Sequence, residues 1–109
     1  MNINEIIKEA HENAVAHGFW EEDRPFAEQI ALMHSELSEA LEEYRDGHGM
    51  QEVYWPHPFN KPEGIPIELA DVIIRICDTC GKYRIDLDRA IKLKMEYNKT
   101  RPYKHGKKI

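Results

Sequence analysis

Apolar residues return every three or four positions in four separate stretches of the chain, and no stretch holds a period of two. The pattern predicts an all-α fold, a compact four-helix bundle. The first helix is expected from about Ile3 to His17, with Ile3, Ile6, Ile7, Ala10 and Ala14 on one side and Gly18 as its stop. A second begins near Pro25, a residue suited to a helix's first turn. Its stripe is Phe26, Ile30, Met33, Leu37, Leu41 and Tyr44, and Asp46-Gly47-His48-Gly49 ends it. A loop rich in Gly, Pro and aromatics follows from Gly47 to Pro66 and is long for a small domain. The third helix is expected from between Pro62 and Pro66 to about Cys80, with Gly81 as its stop. Ile67, Leu69, Val72, Ile73, Ile74, Ile76 and Cys77 wrap nearly around it, which marks a central helix or one covered further by a second subunit. The fourth opens after Asp86 and runs through Leu87, Ala90 and Ile91 to about Lys99, before Pro102.

At 109 residues this is one domain with a modest core, so association with further copies is expected. No stretch approaches the roughly 18 apolar residues of a membrane span. The start, Met1-Asn2-Ile3-Asn4-Glu5, lacks the basic and apolar regions of a signal peptide, which points to a cytoplasmic protein. Cys77 and Cys80 form a lone CxxC inside an apolar helical pattern and read as packed, reduced thiols.

Two copies of one motif carry the chemistry. Glu36-Leu37-Ser38-Glu39 and Glu68-Leu69-Ala70-Asp71 each place two acids three residues apart around a leucine and a small residue. Counting about 100° per residue, Glu36 and Glu39 lie beside the apolar stripe at the same two offsets from Leu37 that Glu68 and Asp71 take from Leu69. If the two helices pack together, four carboxylates meet and repel unless a cation joins them. Mg²⁺, or Mn²⁺, suits an all-oxygen set shared with water and phosphates. Glu43, one turn on, is a candidate fifth ligand or general base, and Arg75 holds the equivalent place on the third helix. An ordinary solvated acidic face is the plain alternative for any one ExxE; the repetition on a second helix favours a metal.

The charges are unevenly spread. Residues 1 to 80 carry 5 basic and 17 acidic side chains, residues 81 to 109 carry 10 basic and 3 acidic, and the total is −5. The acidic majority would repel a nucleic acid polymer, whereas a small phosphorylated ligand fits. On the fourth helix, Ile91, Lys94, Asn98 and Arg101 all fall within about 40° of Leu87, so a core-facing stripe turns cationic along its length. Such cations need an inward-facing anion, either the carboxylates themselves or a metal-bound triphosphate.

The combination of HSELSEALEEYR at 34–45, IPIELADVIIRI at 65–76 and IDLDRAIKLKMEYNKTRP at 85–102 resembles the MazG-like all-α nucleoside triphosphate pyrophosphohydrolases, a superfamily that includes dimeric dUTPases and dCTP pyrophosphatases. The resemblance covers most of the chain from about residue 15. It implies Mg²⁺-dependent hydrolysis between the α and β phosphates, giving a nucleoside monophosphate and pyrophosphate, with nucleotide-pool housekeeping as the purpose. It implies Glu36, Glu39, Glu68 and Asp71 as metal ligands and Lys94, Asn98 and Arg101 as phosphate or sugar contacts. Trp20 resembles a base-stacking aromatic, and Glu39 or Glu43 would serve as general base. A homodimer or a dimer of dimers is implied. The 28 residues between Glu39 and Glu68 are toward the long end of the family's range, so the loop is expected to shape the pocket.

Other residues have weaker claims. His34 is expected as a packing histidine at the core edge. His11, His17, His48, His57 and His105 show no metal spacing. Trp55 and Phe59 fit equally a base, a second subunit or the loop's own underside. The tail from Lys104 to Lys108 is expected to fray or to close over phosphates. A di-iron bundle would need Glu-x-x-His pairs, which are missing. The remaining rival is a helical interaction module whose acidic faces bind a basic partner and need no Mg²⁺.

Overall fold

The computed structural model describes residues 1–58 and 60–106. They form four helices: α1 (Ile3–Ala16), α2 (Phe26–Arg45), α3 (Ile65–Tyr83) and α4 (Leu87–Lys99), followed by a 3₁₀ turn at Tyr103–Gly106. The all-α expectation holds. No helix among the described residues is long and apolar enough to cross a membrane.

Local chemistry sets the ends. The Asn2 side chain accepts the Glu5 N–H at 2.9 Å and donates to the Glu5 carboxylate at 2.8 Å, a reciprocal cap that starts α1. Gly18, at φ +82°, turns the chain away after it. Pro25 precedes α2, and Asp86 caps α4 by accepting the Arg89 N–H. The third helix departs from expectation by running past Gly81 to Tyr83, where Arg84 in the left-handed region ends it. Gly81 has a packing role instead: a Cβ there would come within 2.6 Å of the His11 Cβ. Glycine lets α1 lie close against α3 at this crossing.

α3 is the central rod, with α1 on one side and α2 on the other; α4 touches mainly α1. The face that α2 turns to α3 differs from its apolar stripe. Gln29 and Ala40 are buried and Leu32, Glu36 and Glu43 half-buried, whereas Phe26, Ile30, Leu37, Leu41 and Tyr44 are exposed. Only Met33 of the expected stripe is half-buried. The acids sit between the helices because the apolar side looks elsewhere.

The same holds across the molecule. Leu69, Ile73 and Ile74 of α3 and Leu93, Met95 and Tyr97 of α4 are exposed, and the buried hydrophobic residues among those described are Ala40, Ile65, Cys77 and Cys80. Both cysteines are free thiols, as expected, and burial pushes both up in pKa. The radius of gyration is 16.7 Å, against about 13 Å for a compact chain of 100 residues. α4 projects from the bundle.

Candidate metal centre

Glu36 and Glu39 reach the α2–α3 interface from one helix and Glu68 from the first turn of the other. One oxygen from each lies within 4.8 Å of the others. Glu68 is only 8% exposed, and its Oε2 has no hydrogen-bond partner. Burial, then the Glu39 carboxylate close enough to share its proton, then the charges of Asp71 and Glu36 push Glu68 up to about 7. A buried carboxylate oxygen with no donor is costly, and it is the kind of atom a hard cation satisfies.

Asp71 falls outside that trio but near it. Burial and the neighbouring Glu36 raise its pKa, while Arg75 and Lys61 pull the other way. Arg75 Nε donates to Glu36 Oε1 at 2.9 Å, so the arginine already neutralises one acid of the cluster. The donor set is all oxygen, three carboxylates with a fourth at the rim, and it fits Mg²⁺ or Mn²⁺ rather than a thiol- or imidazole-seeking metal.

Glu36 and Asp71 also form one wall of a cavity of about 600 Å³ between α1 and α3, which Asn13, Phe19, Arg24 and Asp78 line with them. Its volume lies in the range of small-molecule sites of about 300 to 1,000 Å³. The Arg24 guanidinium lies over the Phe19 ring, its carbon 4.6 Å from the ring centre, and Arg24 Nε donates to the Phe19 carbonyl at 3.0 Å. Cationic groups thus share the cavity lining with the acids.

Other anticipated residues lie elsewhere. Glu43 is engaged: the Tyr54 hydroxyl donates to its two oxygens at 2.9 and 2.8 Å, and His48 Nε2 lies 3.5 Å from Oε2. His48 stacks on the Tyr54 ring, 4.4 Å between centres and 11° from parallel, and its Nδ1 is 2.9 Å from Glu52. Glu43 therefore fastens the loop after α2. Trp20 Nε1 donates to Asp78 Oδ1 at 2.8 Å, and its ring packs edge-on to Phe19 and Tyr83 under Lys82. It braces the cavity from behind and is not among the lining residues.

Lys94, on a helix that packs mainly on α1, and Arg101, just past its end, both lie over the Tyr97 ring, at 4.8 and 5.8 Å. With Asn98 they stay apart from the trio within this chain. His34 is exposed, which corrects its placement at the core edge, and Trp55 is exposed as well. Phe59 and the tail from residue 107 lie outside the described residues.

Asp78 has no part in the motifs, and Arg75 enters them only by its position on the third helix. Arg75 and Asp78 follow Asp71 at four and seven residues, the spacing of one helix face, so the signal was present in the sequence. Asp78 also draws His11, whose Nδ1 is 2.8 Å from the same Oδ1. Comparison with protein-family models, curated proteins and solved structures finds no match to this chain.

Proposed function

We propose that the protein is a Mg²⁺-dependent pyrophosphohydrolase of nucleoside triphosphates, adding water across the α–β phosphoanhydride bond to give a nucleoside monophosphate and pyrophosphate. The observation that carries this reading is the convergence of Glu36, Glu39 and Glu68 from two helices, with an orphaned Glu68 oxygen among them, beside a cavity of nucleoside size. Glu36, Glu39 and Glu68 would hold the cation, with Asp71 joining from the rim. When bound, the metal neutralises phosphate charge and acidifies a water.

The chain's own groups do the rest. The triphosphate occupies the mouth of the cavity at the carboxylates, and the nucleoside extends inward along α1, past Phe19 and Arg24. Arg75, which donates to Glu36, would turn its guanidinium to two oxygens of a phosphate, a bidentate geometry that suits arginine. Glu39 is exposed at the edge of the trio and accepts the proton of the attacking water at a carboxylate oxygen. Glu43, held by Tyr54 and His48, is engaged with the loop after α2 instead.

The working unit in this reading is a homodimer. Open apolar faces on α2, α3 and α4 and the excess of cations after residue 80 support it. A second copy would cover the stripes and bring its Lys94, Asn98 and Arg101 toward the triphosphate.

The test is a panel of ribo- and deoxyribonucleoside triphosphates with Mg²⁺, separating pyrophosphate from orthophosphate. Pyrophosphate is the expected product, lost by a factor of about 10³ or more in Glu68→Gln and Glu36→Gln. Orthophosphate as the sole product, or wild-type turnover in both variants, overturns the assignment.

A further inference from the structure

One buried acid on the cavity wall has no part in the reaction as proposed. Asp78 is 7% exposed, and its two hydrogen bonds fall on a single oxygen: Oδ1 accepts the Trp20 indole N–H and meets His11 Nδ1, each at 2.8 Å. His11 belongs to α1 and Trp20 to the turn after it, so the carboxylate is held from two sides and cannot swing away. Gly81, one turn further along α3, allows the close approach that places His11 there. Asp78 lines the cavity, and Oδ2 carries no hydrogen bond among the described residues. An ionised carboxylate only accepts, so a ligand that displaces water from this oxygen must donate to it. Arg24 and Arg75 on the same walls only donate. Glu36 and Asp71, the other carboxylates of the lining, belong to the acidic cluster, so Asp78 is the anionic acceptor about two turns further along α3.

We infer that Asp78 is a specificity-determining residue that accepts an N–H from the exocyclic amino group of a nucleobase, so that amino-bearing bases such as cytosine are taken in preference to carbonyl counterparts such as uracil. The inference rests on the reading above that the cavity takes the nucleoside. Cytosine and uracil have the same outline and differ where one carries NH₂ and the other a carbonyl oxygen. A carbonyl oxygen set against Oδ2 puts two acceptors face to face with no proton between them, and neither recovers the water it gave up. The N3–H of uracil is a poor substitute, because carbonyl oxygens flank it on both sides and repel the approaching carboxylate. An acceptor left mispaired by a bound ligand separates otherwise equal ligands by about tenfold to a hundredfold.

The test is equilibrium binding of CMP and UMP to the full chain, followed by the indole N–H resonance of Trp20, which reports on Asp78 directly, alongside pyrophosphate release from CTP and UTP. CMP is expected to bind at least about tenfold more tightly than UMP and to move the Trp20 signal. Asp78→Asn, whose amide can donate to a carbonyl, should level or invert that preference. Equal binding of CMP and UMP by the wild-type protein overturns the inference whether or not the variant folds, as does an unchanged preference in a folded Asp78→Asn protein. Pyrophosphate release without base discrimination sinks the role of Asp78 and leaves the reaction standing; base-selective binding without hydrolysis does the reverse. If no nucleotide binds or turns over, both readings fall.

Discussion

Glu68 is placed where ionisation is disfavoured: it lies at the start of α3 with two other acids within 4.8 Å and one oxygen lacking any donor. Because its folded pKa is raised from 4.5 to about 7, it retains a proton that the unfolded chain would release. The associated stability is fully present below the unfolded value and is lost as pH rises through the folded one, so the metal-free fold weakens between pH 4.5 and about 7. A cation that replaces the proton reverses the trend. Mg²⁺ at constant ionic strength should raise the melting temperature little at about pH 5.5 and substantially at about pH 8, and Glu68→Gln should remove the difference. Equal Mg²⁺ shifts at both pH values would rule out coupling between metal and Glu68. At this scale the paired ExxE and ExxD motifs were informative, because side-chain period alone brings their acids to one face. The pairing of Arg75 with Glu36 and the locking of Asp78 by His11 and Trp20 depend on which helices cross where. Neither follows from a motif.

Among the elements, the segment after α2 is tied down by chemistry as well as by backbone. Tyr54 and Glu63 exchange backbone hydrogen bonds at 3.0 and 2.8 Å, and Tyr54, His48 and Glu52 hold the segment to Glu43. The hydrogen bond to Glu52 raises the pKa of His48, burial opposes it, and the charges of Glu52, Glu43 and Asp46 add to the rise. The ion pairs it makes are therefore fully present below 6.5 and are lost as pH rises through its higher folded value. Hydrogen-exchange protection of the Tyr54 and Glu63 amides, corrected for intrinsic rates, should fall across that range. Tyr54→Phe should lower it at every pH and return Glu43 to solvent. Protection unchanged by either would show that the backbone bridge alone holds the segment. The four helices themselves were legible from periodicity and caps, to within a residue or two at most ends. The end of α3 was not, since Gly81 signals a stop in sequence and serves as a contact with His11 in space. Nor was the orientation of α2: an apolar stripe marks a face to be covered, without saying by which neighbour.

For the whole molecule, the sides left open are those that sequence patterning marks as interior. Leu41 is 53% exposed on α2 and Ile73 50% on α3, while α4 presents Leu93 and Met95 each at 59%. Patches of this kind usually mark sites of association. A dimer built on these faces predicts that Leu41→Glu, by placing a charge in the joint, shifts sedimentation equilibrium to a monomer of 12.8 kDa, the mass of one chain. Such a monomer should lose helical content and Mg²⁺-dependent turnover together. A variant that stays associated and active would show that α2 faces water. The apolar positions themselves were legible, but which of them stay open depends on how α3 divides its surface between α1 and α2. The short roll of enclosed apolar side chains, Ala40, Ile65, Cys77 and Cys80, has a consequence of its own. If most of the oily surface is hidden only by encounter with a twin, dilution becomes a denaturant: the midpoint of unfolding climbs with concentration, and a scarce chain melts where an abundant one survives.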